Sequence, residues 1–308
     1  MEPERQPQVR ARWTLAGVLV ALFAAMLLDR VLHEGHLEQT ALFYVGIPAV
    51  IAVTVALTAR PRSTIGMIMA SITVALALAG PLLGEGIVCL VMAAPLFYLV
   101  GLLVGLLIDE VRRHRGKGRM NLLLAPLLVA ATLEGTAVSL PRDNEVSVTG
   151  AMAATNLERT AANAEQAAAN VERALAAEPR FGPVESRFLS LGFPRPLRAE
   201  GTGLAVGDTR KIIFTPRRSL GIGAPLEPRS MTLRVSERMP GRVVFAVVED
   251  TTLARWLDLR RATFDWRSGR LTVTLAYRRT FDPGWYFGPL QSYALSEAAG
   301  YLVKTFAG

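Results

Sequence analysis

Cysteine occurs once in these 308 residues, as Cys89, and the three histidines all precede residue 120. A lone cysteine excludes an intrachain disulfide. With neither histidine nor cysteine, the second half lacks the commonest general base near neutral pH and the usual thiol nucleophile. There is no Gly-x-Ser-x-Gly elbow, no phosphate-binding glycine loop closed by Lys and Ser/Thr, and no His-Glu-x-x-His. Charge is also scarce. Asp, Glu, Lys and Arg make up 19% of the chain, below the roughly 25% of an ordinary soluble domain. These gaps disfavour an enzyme, and no cofactor is implied.

Apolar residues reach 51%, the mean hydropathy is +0.32, and the excess lies before Pro141. Five runs there approach the roughly 20 residues that cross a bilayer: Trp13 to Leu32, Ala41 to Ala59, Thr64 to Leu82, Ile87 to Ile108 and Asn121 to Leu140. Backbone amides in lipid must be satisfied within the segment, so all five are expected to be helices. The predicted fold is thus an N-terminal all-α transmembrane bundle of five helices (1–140), followed by an α+β soluble domain (141–308). The first run has a basic start but a long core and no evident cleavage motif, so it is expected to be retained.

The net charge of +8 and pI near 10.2 reflect arginines at helix ends, so no nucleic-acid partner is inferred. Arg5, Arg10 and Arg12, then Arg60 and Arg62, then Arg112, Arg113, Arg115, Lys117 and Arg119 fill alternate loops. The segments His33 to Thr40 and Leu83 to Gly86 have no Lys or Arg. That alternation predicts a cytoplasmic N-terminus in a multi-pass protein of the plasma or inner membrane. With five spans, the C-terminal domain emerges outside, in the periplasm if the cell is bacterial.

Polar residues in this half assign no site. Glu134 lies near the outer end of the fifth run and reads first as interfacial, as do Asp29 and Arg30 at the end of the first. Pro48, Pro95 and Pro126 fall inside predicted helices, where they can introduce kinks. His33, Glu34, His36 and Glu38 offer ligand chemistry that suits zinc. A zinc site needs three or four ligands in fixed geometry, so this reads as a solvated loop and no metal site is assigned.

After Asp143 the pattern changes. Glu145 to Thr149 alternates as a short strand. The Ala-rich stretch Ala151 to Glu178 favours helix, ends at Pro179, and is expected to be partly exposed. Lys211 to Thr215, Met231 to Val235, Arg242 to Val248, Ala262 to Trp266 and Leu271 to Tyr277 read as strands, with turns at Pro240-Gly241 and Ser268-Gly269. Arg242 to Val248 is apolar on both faces and so is expected to be central. Leu295, Ala298, Ala299, Leu302 and Phe306 recur at helical spacing, predicting a C-terminal helix from Pro289. Such a helix laid over a curved antiparallel sheet leaves room for a cavity.

Two stretches carry a resemblance. Pro196-Leu197-Arg198-Ala199-Glu200-Gly201-Thr202-Gly203 runs on to Gly207-Asp208-Thr209-Arg210, and Phe281-Asp282-Pro283-Gly284-Trp285-Tyr286-Phe287-Gly288-Pro289-Leu290 precedes the last helix. With the order of elements, residues 143–308 resemble the helix-grip fold of the SRPBCC superfamily, which includes START lipid-transfer domains and polyketide cyclase-like proteins. The resemblance implies a pocket for a hydrophobic or amphipathic ligand. The superfamily has no universal catalytic residues, so none is carried over. One departure is that the Ala-rich stretch replaces the usual aliphatic-tryptophan segment of the first helix.

Aromatic residues crowd this half: Phe214, Phe245, Trp256, Phe264, Trp266, Tyr277, Trp285, Tyr286 and Tyr293. Most read as core. The functional expectation is that Phe245, Trp266, Tyr277 and Tyr293 line the cavity, with Arg210 or Arg279 orienting the head of an anionic amphiphile. Trp285, Tyr286 and Phe287 suit a membrane surface equally well. The expected function is therefore a membrane-anchored module that binds a lipid or other hydrophobic small molecule. One alternative is a structural or sensory protein whose soluble domain binds a protein partner. Another is a cyclase- or dehydratase-type enzyme using Asp265, Glu249 or Asp250, although the adjacent pair points to opposite faces of its strand.

Overall fold

The computed structural model describes residues 16–18, 20, 21, 24, 50, 63–83, 87–113, 140–152, 161–190, 193–218, 226–253 and 257–307. The predicted spans 13–32, 41–59 and 121–140 lie wholly or largely outside the described residues. So do the His33 to Glu38 loop, Asp29, Arg30, Pro48, Pro126, Glu134, Trp256 and most of the orienting arginines. The chain divides into a helical unit within residues 1–132 and an α+β unit drawn from 133–308, the latter without Arg218–Leu226.

In the helical unit, α1 (Thr64–Leu83) and α2 (Ile87–Arg113) form an antiparallel pair. Glycine makes their close approach possible. A Cβ on Gly101 would overlap Ile72 of α1, and one on Gly105 would lie 3.1 Å from the Ile65 Cα. Small residues one turn apart are what a close helix pair in an apolar medium requires. Thr73 and Tyr98 add an interhelical hydrogen bond between their hydroxyls at 2.8 Å. Met67, Val91, Phe97, Leu99, Leu102 and Leu106 are exposed, an apolar outer surface that water does not favour. Among the described residues, one stretch, Leu90–Asp109 in α2, is long and apolar enough to cross a membrane. In α1 the apolar run is the shorter Thr64–Ala79. Two predicted spans are therefore seen as helices, and a five-helix bundle is not established.

The α+β unit is built from β1 (Asp143–Ala151), α3 (Ala161–Ala176), α4 (Arg187–Ser190), β2 (Pro196–Glu200), β3 (Thr209–Arg218), β4 (Leu226–Met239), β5 (Arg242–Asp250), β6 (Leu257–Arg267), β7 (Arg270–Arg279) and α5 (Gly284–Ala307). The strands form one seven-stranded sheet in the order β1-β7-β6-β5-β4-β3-β2. This antiparallel sheet with a long C-terminal helix fits the helix-grip arrangement. β5 is central, as its two apolar faces require, and Val243, Val244 and Phe245 are all buried. In β7 the burial alternates strictly through Leu271, Val273, Leu275, Tyr277 and Arg279. In β6 the buried set switches from Leu257 and Leu259 to Ala262, Phe264 and Trp266. A register shift between Leu259 and Arg261 causes the switch, because one extra residue inverts a two-residue period.

Two hairpins depend on backbone that favours glycine. Ser268 and Gly269 have φ of 52° and 72°, the left-handed pair of a tight two-residue turn. Gly241, after Pro240, has φ of 73°. β2 was not recognised in the sequence, where Pro196 to Glu200 served only as a point of likeness.

α5 buries Gly284, Gln291, Ala294, Leu295, Ala299, Val303, Phe306 and Ala307 over β1 and β7. A Cβ on Gly150 of β1 would overlap Val303 Cγ1, so that glycine lets helix and strand approach. The helix starts at Gly284 rather than at Pro289. Pro283 caps it, its carbonyl accepting from Tyr286 N and Phe287 N.

α3 is partly exposed, as expected, with Glu165, Gln166, Ala169, Asn170 and Arg173 on its outer side. Ala167, Val171 and Leu175 are buried at four-residue spacing, a real though narrow apolar stripe. Gly203 N donates to Ala176 O at 2.8 Å and satisfies a carbonyl at the helix end. Leu175 is fully buried. Leu175→Ala is expected to cost about 2–5 kcal/mol, read as a lower denaturation midpoint of the full chain in detergent by tryptophan fluorescence.

Candidate functional site

The loop before β3 builds the site. Asp208 Oδ2 accepts from Ala205 N at 2.8 Å, and Asp208 N donates to Ala205 O at 3.0 Å. Val235 N of β4 then donates to Asp208 O at 2.9 Å. This turn delivers Arg210 to the same face as Leu233 of β4 and Phe245 of β5. Gly201 has φ of 101°, and a Cβ there would strike Thr209 O, so the strand entry needs glycine.

Arg210 is only 5% exposed. Its Nε donates to Gly201 O at 3.3 Å, and its guanidinium carbon lies 5.6 Å from the Phe245 ring centroid. Nη2 is buried with no hydrogen-bond partner. Among the described residues no carboxylate forms an ion pair with it. Burial pushes the guanidinium pKa down, opposed by the weaker field of Glu178. A guanidinium does not give up its proton in a protein. The face therefore holds a permanent, desolvated and incompletely bonded cation beside an aromatic ring.

The other expected lining residues separate. Phe245, Trp266 and Tyr277 are each at most 3% exposed and belong to one hydrophobic core. Trp266 is covered by Arg238, whose guanidinium carbon lies 5.0 Å from the ring centroid and which also pairs with Glu172 of α3. Burial raises the Tyr277 phenol pKa, against a hydrogen bond with Ser292 and the charge of Arg279. Tyr293 is a correction. It is 52% exposed and meets Phe188 edge-on at 5.0 Å. At about 100° per residue it sits some 200° round the helix from Leu295, so it turns away from the sheet.

Arg279 is buried but already engaged. It pairs with Asp282 at 3.4 Å and donates to Leu140 O at 3.4 Å. Asp282 also accepts from Arg142 Nη2 at 2.6 Å. A Cβ on Gly284 would overlap the Arg279 guanidinium. Arg142, Arg279 and Asp282 thus join the start of β1, the end of β7 and the start of α5. Asp282 was missed as a site residue, although Asp-Pro ahead of an apolar periodic run is a helix-start signal.

The carboxylates considered for catalysis are dispersed. Asp265 pairs with Arg267 at 3.3 Å, and Glu249 is exposed. Asp250 Oδ1 accepts from Thr252 N at 2.7 Å and Leu253 N at 2.9 Å. Burial raises its pKa, against those two bonds and with a further push from Asp258.

Toward α5 the sheet face is closed by rings. Phe245 and Phe264 meet at 5.8 Å and 88°, and Phe264 and Phe306 at 5.3 Å and 82°, the edge-to-face geometry that aromatic pairs prefer.

No family model and no curated protein matches the sequence. Among solved structures, the chain is similar to major latex-like protein 151 of Panax ginseng at 12% identity, over 51% of this chain and 97% of that one, with a TM-score of 0.26. It is also similar to protein CV1439 of Chromobacterium violaceum at 16% identity, over 52% of this chain and 96% of that one, with a TM-score of 0.25. Similarity this low assigns neither fold nor function, and the fold rests here on strand order and pairing.

The junction at Asp282 predicts unequal losses. Asp282→Ala deprives the buried Arg279 of its carboxylate and is expected to cost about 3 kcal/mol. Arg142→Ala removes the more exposed arm and should cost under about 1 kcal/mol. Thermal unfolding of the full-length variants in detergent measures both.

Proposed function

We propose that the α+β unit binds an anionic amphiphile. Its acidic head would sit on Arg210, and its apolar body would lie along the sheet face beside Phe245 and Leu233. The helical unit would hold this module at a membrane. The observation that carries the proposal is the buried Arg210 guanidinium, whose Nη2 lacks a hydrogen-bond partner. Burying a charge without a partner is costly, and an arriving carboxylate or phosphate would supply what the protein withholds. The apolar neighbours would strengthen that contact by excluding water. The apolar outer surface of α1 and α2 and the length of Leu90–Asp109 support the membrane setting.

A second reading, a domain that binds a protein partner, is favoured by the Phe245–Phe264–Phe306 ladder, because a filled sheet–helix interface leaves less room for a guest. The two differ in what they require of Arg210.

The test is titration of the detergent-solubilised full chain with a dansyl-labelled undecanoic acid and with its methyl ester. The acid should bind at least tenfold more tightly than the ester. Arg210→Met should remove that preference, because a hydrogen bond to a charged group is worth about 1.5–3 kcal/mol. The same substitution should leave stability unchanged or raise it by about 1 kcal/mol, since an isolated buried ion is removed. Equal binding of acid and ester, or an unaltered Arg210→Met variant, would overturn the proposal.

A further inference from the structure

α5 carries a second apolar face. From Gly284 to Ser296 the helix has no charged residue. Trp285, Pro289 and Tyr293 recur at four-residue spacing and are all exposed, Trp285 at 48% and Tyr293 at 52%. At 1.5 Å per residue they form an exposed stripe roughly 12 Å long. The stripe begins in a knot of rings. Phe281 and Phe287 lie 5.4 Å apart, Tyr286 and Phe287 5.1 Å, and Trp285 and Tyr286 5.8 Å.

Chain continuity identifies what this face meets. Leu140 closes the hydrocarbon-length run Asn121 to Leu140, is 46% exposed, and accepts a hydrogen bond from Arg279. Two residues on, Arg142 is tied to Asp282, which lies within the segment that forms the ring knot. The point where the chain leaves its apolar run is therefore pinned to the end of β7 and the turn that leads into α5. Tryptophan and tyrosine are the residues that favour the headgroup level of a bilayer, with an apolar ring inward and a polar edge to water. An uncharged exposed face of this kind is unfavourable in water.

We propose that the Trp285–Pro289–Tyr293 face of α5 lies in the interfacial layer of the bilayer from which the chain emerges at Leu140. It fixes how the α+β unit is held at the lipid surface. The inference rests on the membrane setting proposed above.

The test reconstitutes the full chain into phosphatidylcholine vesicles that carry a doxyl label at acyl position 5 or 16, with iodide as the aqueous quencher. Subtracting the emission of Trp285→Phe isolates Trp285. Its emission should be quenched at least twofold more by the shallow label than by the deep one, and only weakly by iodide. A Trp285→Ser/Tyr293→Ser chain should stay folded with only a modest fall in its thermal unfolding midpoint, since each side chain loses a ring contact but is about half exposed, yet release the α+β unit from the surface. That release is read as faster proteolysis after Leu140 in intact vesicles. Strong iodide quenching with no doxyl effect would overturn the inference while leaving the anchored module intact. Insensitivity to all three quenchers would place a second protein surface on the stripe and also overturn it. Equal quenching by both labels would exclude the headgroup level. A chain that does not float with the vesicles would remove the membrane setting itself.

Discussion

The fold depends on one long-range pairing, that of the first strand with the last. β1 and β7 pair in register from Asp143↔Arg278 to Ala151↔Arg270, across most of the α+β unit. Contacts this distant in sequence carry a heavy loop-closure cost and must be reinforced locally. The reinforcement sits at one end of the ladder. There Asp282 accepts from Arg142 and pairs with Arg279, binding three chain segments with one carboxylate. At the other end Gly150 lets Val303 press onto the strand. Once β1 and β7 are joined, α5 has a continuous apolar bed and the rest of the sheet has an edge from which to extend.

Much of this was legible in the sequence because a two-residue period is hard to counterfeit. Met231, Leu233 and Val235, and Leu271, Val273, Leu275 and Tyr277, announced strands that the structure contains. Arg242 to Val248 announced a central one. Short-range chemistry also announced the turns at Pro240-Gly241 and Ser268-Gly269. The Ala-rich stretch is a partly exposed helix, as expected, but its buried stripe of Ala167, Val171 and Leu175 was not legible, because alanine hardly registers as apolar when averaged over a longer run. β2 was missed because five residues beginning at proline give no periodic signal.

The candidate site was partly legible, and its failures have geometric causes. Arg210 and Phe245 were named from residue type, and the structure places them in contact. Arg279 has the same chemistry but a different office, and only three-dimensional proximity to Asp282 and Leu140 reveals it. Tyr293 was within reach of sequence reasoning. The predicted stripe already ran through Leu295 and Phe306, and a residue two places before Leu295 cannot share its face. Aromatic character alone does not fix helical phase. For the membrane half, apolar length predicted α1 and α2 well, but the count of spans rests on residues outside those described.

Arg210 and Arg279 are the same side chain in opposite circumstances. Both are almost wholly buried, so both pay for desolvation. Arg279 recovers that cost within the fold, through Asp282 and the Leu140 carbonyl, and its removal would unpick the junction of strand and helix. Arg210 keeps one carbonyl contact and a ring, which is too little to offset burial of a full charge. A fold selected for stability alone would fill that position with a hydrocarbon side chain of similar volume. A cation held there at a loss makes physical sense when an anion from outside completes it. On the reading proposed above, the asymmetry between the two arginines separates a binding position on the β3–β5 side of the sheet from structural closure at the start of α5.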